Sequence, residues 1–65
     1  MTLIELLEYF AREMKQANDL ANSTGEDIVR ARREAKLFLA SAGVHPAVIK
    51  AIDNCIKDDG SYIRG

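Results

Sequence analysis

The sequence contains one cysteine, one histidine, one proline and no tryptophan, with two tyrosines and two phenylalanines among 65 residues. A single cysteine excludes a disulfide within the chain, and one thiol without a secretory signal is typical of a reducing cytoplasm. One histidine and one cysteine are too few for a structural zinc site without several converging carboxylates. We therefore expect a cytoplasmic protein that binds no metal and no cofactor.

An excess of one charge and a long apolar run are also missing. Nine basic and ten acidic residues give a net charge of −1, whereas nucleic-acid-binding domains usually carry a basic excess. The longest apolar stretch, residues 37–44, includes a serine and is far shorter than the ~20 residues that span a bilayer. Glu5 and Glu8 interrupt the first ten residues, which is unlike a signal peptide. These features argue against a membrane protein.

Apolar residues recur at helical spacing in three segments, which predicts one all-α domain over residues 1–65. The expected helices cover about 3–21, 26–42 and 46–58, followed by a tail over 59–65. A short connection between the first two helices favours an antiparallel hairpin, with the shorter third helix packed across one end as a small three-helix bundle. Because so short a chain buries only about 60% of its surface, we expect dimerisation to complete the core.

The helix boundaries follow from capping and breaking residues. Thr2 and Glu5 have the spacing of a capping box, and the second helix begins with either Ser23 and Glu26 or Thr24 and Asp27 as the corresponding pair. Gly43 has the position of a left-handed C-terminal cap and Pro46 that of a first helical residue. Gly60 is the expected end of the third helix. Tyr62 and Ile63 are candidates to fold back onto the core.

A catalytic site is not predicted. His45 and Cys55 are the only pair that resembles a nucleophile and its base, and ten helical residues would separate them by ~15 Å. His45 is expected to cap the third helix, and Cys55 to be a small core residue. The sequence therefore predicts no enzyme activity, no catalytic residue and no small-molecule substrate.

The stretch around Gly43 resembles a helix-turn-helix of the repressor type. Gly43, Val44, Ile49 and Ile52 have the apolar spacing of that motif, and Phe38 and Ala42 occupy its apolar positions before the turn. The pattern departs from the motif at Leu39, where a small residue is preferred. The resemblance implies a DNA-binding regulator that uses residues 38–57, and this reading is the alternative function.

Surplus apolar surface supports the main hypothesis, a non-catalytic interaction or regulatory module. An uninterrupted heptad seam on the first helix and one outward leucine on the second suggest that apolar helix faces bind a second copy or another protein. The candidate interface residues are Leu3, Leu7, Phe10, Met14 and Leu37. A basic edge on the second helix either contacts phosphate or an acidic partner, or is simply a solvated face. The possible contact residues are Arg30, Arg33 and Lys36 on this helix, together with Lys50 on the third.

Overall fold

The computed structural model describes residues 2–20, 22 and 24–62, which form three α-helices. Helix α1 is Leu3–Asp19, α2 is Gly25–Ser41 and α3 is Pro46–Cys55. No strand occurs within those residues, so the all-α prediction is confirmed. Three residues with a predicted role lie outside the described residues. They are Ala21 at the end of the first predicted helix, Ser23 at one alternative cap of the second, and Ile63 in the tail.

Reciprocal capping boxes begin the first two helices. The Glu5 amide donates to Thr2 Oγ1 at 3.2 Å, while the Thr2 amide donates to Glu5 Oε1 at 3.1 Å. Thr24 and Asp27 repeat the arrangement at the start of α2, so that alternative is confirmed. Each box satisfies backbone N–H groups that have no partner within the helix.

Helices α1 and α2 form an antiparallel hairpin. The rings of Tyr9, early in α1, and Phe38, late in α2, stack with their centroids 4.5 Å apart. Leu6 also lines a hollow together with Ala42 and Val44, which follow the end of α2. The start of α1 therefore lies beside the end of α2, as a short connection requires.

A Schellman motif turns the chain from α2 towards α3. Gly43 has a φ of +87°, its amide donates to Ala40 O, and the Val44 amide donates to Leu39 O. This pattern closes a helix on a left-handed residue, which glycine adopts without a steric cost. Val44 then packs against the core. The prediction for Gly43 is confirmed.

Helix α3 ends at Cys55, three residues before the predicted boundary. Ile56 has extended backbone angles and is only 3% exposed, so the chain leaves the helix in order to bury this side chain. Residues 57–61 then form a turn in which Lys57 N donates to Ser61 O. Gly60, predicted as the helix terminator, has a φ of +86° inside this turn instead. Tyr62 packs against the core, as expected.

The core lies among all three helices, and it corrects part of the interface prediction. Phe10 and Met14 are completely buried, so they have no surface left for a partner and are withdrawn as interface residues. The pattern identified an apolar face correctly, but this face packs inside the chain. The buried residues are Leu6, Phe10, Ala11, Met14, Ala17, Ala35, Leu39, Ile49, Ile52 and Ile56.

Cys55 is exposed, contrary to the expectation that it is a core residue. Ile49, Ile52 and Ile56 recur at spacings of three and four and form the buried stripe of the third segment. Cys55 lies beside this stripe at the last position of α3.

Candidate partner-binding site

A groove runs between α2 and α3 on the surface, and we call it the α2–α3 groove. Its lining residues come from the second half of α2 and from nearly the whole of α3. They are Arg33, Lys36, Leu37, Ala40, Pro46, Ile49, Lys50 and Asp53.

The floor of the α2–α3 groove is apolar. Leu37 is 59% exposed, a larger exposed fraction than that of either neighbour, Lys36 or Phe38. Ala40 and Pro46 extend the apolar surface across the two helices, and Ile49 connects it to the core. Contiguous apolar surface that faces solvent in a small domain is typical of contact with another molecule.

Three cations and one carboxylate surround this floor. Arg33 and Lys50 are exposed, and Lys36 lies on the same side of α2. The carboxylate of Asp53 contacts Lys36, with 3.6 Å between Nζ and Oδ2. The groove thus has a basic excess, although the whole chain has a net charge of −1.

Arg32 joins α2 to the end of α3 and fixes one wall of the groove. Its Nη1 lies 2.7 Å from Asp53 Oδ1 and 3.0 Å from the Asp53 carbonyl oxygen. Its Nη2 donates to Ile56 O at 3.2 Å and to Asp58 Oδ1 at 2.8 Å. One guanidinium therefore satisfies carbonyl groups near the end of α3 and neutralises carboxylates that would oppose the helix dipole there.

The environment of Arg32 supports a fixed position for this side chain. Burial lowers the pKa of its guanidinium, but the hydrogen bonds to Asp53 and Asp58 outweigh that effect, so the pKa is raised overall. The guanidinium also lies over the Phe10 ring, 5.8 Å from its centroid. Because Asp53 is held by Arg32, the exposed charges of the groove are mainly basic.

The structure brings together four of the predicted site residues. Arg33, Lys36, Leu37 and Lys50 all line the α2–α3 groove. Arg30 lies one helix turn before them, in a separate hollow that shares Arg33.

The two remaining interface candidates lie on α1. Leu3 is exposed and Leu7 is half-buried against the core. Neither of them lines the groove.

Arg32 was not among the predicted site residues, although a signal for it exists. Ile28, Arg32, Ala35 and Leu39 recur at spacings of four, three and four, so Arg32 lies on the apolar stripe of α2. An arginine on such a stripe needs acceptors inside the fold. Sequence alone does not show that the end of α3 supplies them.

His45, the one histidine of the sequence, lies at the start of α3. His45 Nδ1 accepts a hydrogen bond from the Ala47 amide at 3.0 Å, so the prediction that His45 caps α3 is confirmed. Within residues 2–20, 22 and 24–62, no three histidine, cysteine or acidic residues converge as metal ligands. In the same residues, no helix is both long enough and apolar enough to cross a bilayer.

No protein-family model matches the chain, and neither a curated protein nor a solved structure shows significant similarity to it.

Proposed function

We propose that the chain is a non-catalytic accessory or regulatory module that binds a protein partner through the α2–α3 groove. The observation that carries this proposal is the position of Leu37 on an apolar floor between Arg33, Lys36 and Lys50. An apolar centre with a charged rim is the usual composition of a protein–protein contact surface. The exposed thiol of Cys55 supports a cytoplasmic location, where thiols remain reduced.

Self-association is part of the proposal, with a different surface from the one first predicted. Phe10 and Met14 are internal, so a homodimer would use exposed residues such as Leu3 and Leu37. Light scattering at micromolar concentration tests this directly. We expect a dimeric mass. A monomeric mass would contradict self-association and leave a different protein as the partner.

DNA binding stays the alternative prediction, but no contact of the described residues favours it. His45 caps α3, and Asp53 is held by Arg32 near the helix end. The floor of the α2–α3 groove is apolar, while DNA interfaces are rich in polar and positive groups.

Photocrosslinking from position 37 tests the proposal. A photoreactive amino acid replaces Leu37 in one variant and Gln16 in a matched control, because Gln16 is exposed on α1 and does not line the groove. In cells that produce the protein, we expect discrete protein adducts from position 37 and none from position 16. Adducts with nucleic acid, or equal adduct patterns from both positions, would contradict the proposal.

A further inference from the structure

We infer that the α2–α3 groove accepts an acidic amphipathic helix of the partner, with an apolar face towards Leu37 and carboxylates on its flanks. The inference rests on the proposed function, because it names the chemistry of a partner that binds at this groove. Three properties of the groove support it: the arrangement of its walls, its length and its charge.

The α2–α3 groove lies between two helices, and such a groove suits a helix of the partner as its occupant. Leu37 and Ala40 come from α2, and Pro46 and Ile49 from α3. Helix-in-groove recognition places the apolar stripe of a partner helix between two such walls. Addition of a partner strand would need an exposed sheet edge, and the described residues contain no strand.

The length of the groove sets the spacing of the partner's apolar residues. The lining residues extend from Arg33 to Ala40 on α2 and from Pro46 to Asp53 on α3. Each of these spans rises ~10 Å, which equals about two helical turns. A partner helix would therefore present three apolar residues at positions i, i+3 or i+4, and i+7.

The charge of the groove selects an acidic partner. Arg33, Lys36 and Lys50 line the groove together with its apolar residues, so a docked helix would come close to all three cations. The one carboxylate of the lining, Asp53, is paired with Arg32 and approached by Lys36. Complementary charges at a rim chiefly set the choice of partner and the rate of encounter.

Two synthetic peptides test the inference by titration against the isotope-labelled protein. The probe is a 14-residue helical peptide with leucine at i, i+3 and i+7 and glutamate on its flanks; the control has lysine in place of every glutamate. At low ionic strength, we expect the acidic peptide to bind at least about tenfold more tightly and to shift the amide resonances of Leu37, Ala40 and Ile49. Equal affinities, no shifts, or shifts outside the groove would overturn the inference.

A charge-reversed protein provides the matched control. Arg33→Glu with Lys50→Glu should reverse the preference, so that the lysine peptide binds more tightly. Arg12→Glu with Lys57→Glu changes the net charge equally at exposed positions that do not line the groove, and should retain the preference for the acidic peptide. An unchanged preference in the Arg33 and Lys50 variant would overturn the inference.

The crosslink from position 37 separates this inference from the proposed function. If protein adducts persist at full yield in the Arg33 and Lys50 variant, the groove binds a protein without using its cations, and only the inference fails. If wild-type protein gives no protein adduct and no peptide shift, both fail.

Discussion

At Gly60 the chain passes so close to α1 that a side chain has no room. A Cβ atom there would lie 2.6 Å from the Ala11 carbonyl oxygen and 2.9 Å from Lys15 Cβ. The φ of +86° also favours glycine. Gly60 therefore allows the turn after α3 to pack against the middle of α1.

We predict that Gly60→Ala lowers the free energy of unfolding by about 2–3 kcal/mol, since steric overlap adds to backbone strain. Gly43→Ala should cost only about 1 kcal/mol, because its φ is also positive but its Cβ would meet no atom within 4 Å. Gly25→Ala, at the start of α2, should be neutral or slightly stabilising. Urea unfolding followed by circular dichroism gives the three values, and equal effects at Gly60 and Gly25 would contradict the packing described.

The role of a residue could be predicted where its partners are close in the sequence. It could not be predicted where the partners come from a distant part of the chain. Thr2, His45 and Gly43 were assigned correctly because their partners lie within five residues. The close approach of Gly60 to α1 joins positions about 50 residues apart, and no periodicity reveals it. Cys55 was misassigned to the core because it is next to Ile56 in the sequence, whereas it lies on the flank of the buried stripe that Ile49, Ile52 and Ile56 form.

At the scale of elements, Arg32 fixes the end of α3 against α2. The guanidinium contacts two carboxylates and two backbone carbonyl groups around the end of α3. Asp53 is in turn a wall of the α2–α3 groove. The network therefore links the stability of the third helix to the shape of the proposed binding surface.

Arg32→Met should lower the free energy of unfolding by about 2–4 kcal/mol, because it leaves Asp53 and the Ile56 carbonyl without their donor. Arg32→Lys should recover part of the loss, since an ammonium group cannot reach all four acceptors. Arg33→Met removes a neighbouring exposed cation and should change stability by less than about 0.5 kcal/mol. Equal losses for Arg32→Met and Arg33→Met in chemical unfolding would show that the network is not stabilising.

The capping box of α1 predicts a pH dependence. The Thr2 backbone amide and side chain donate hydrogen bonds that hold the pKa of Glu5 below its usual value of 4.5. A carboxyl group whose pKa is lower in the folded state stabilises the fold at pH values above its unfolded-state pKa. This contribution is lost as the pH falls through its folded-state pKa. Glu5→Gln should therefore be less stable than wild type at neutral pH.

As the pH falls through the lowered pKa of folded Glu5, the difference between wild type and Glu5→Gln should shrink towards zero. Glu34→Gln is the matched control, because it removes a carboxylate at an exposed position in the middle of α2, away from both capping boxes. Unfolding midpoints across the acid range give both curves. A Glu5→Gln difference that stays constant from neutral to acid pH would contradict the assigned role of Glu5.

The order and type of the three helices were predictable, whereas the end of α3 was not. Capping boxes and apolar periodicity determine where α1 and α2 begin and which faces they bury. Helix α3 was expected to continue to residue 58. It ends at Cys55 instead, and the next residue, Ile56, has extended backbone angles and is buried.

At the scale of the whole molecule, the net charge of the chain is negative, whereas the charge of the proposed site is positive. The chain has a net charge of −1, but Arg33, Lys36 and Lys50 surround the apolar floor. The sequence indicated these cations and Leu37 separately. Only the packing of α3 against α2 shows that they share one groove. Composition therefore could not identify the site, since the decisive property is the spatial arrangement of its residues.

Competition at position 37 tests the central claim, that the α2–α3 groove is the partner-binding surface. The photocrosslink from position 37 to the cellular partner is measured while the acidic 14-residue peptide is added. We predict that the adduct yield falls as the peptide saturates the Leu37 and Ile49 amide shifts, while the lysine peptide leaves the yield unchanged. An adduct yield that is insensitive to a saturating acidic peptide would contradict the claim.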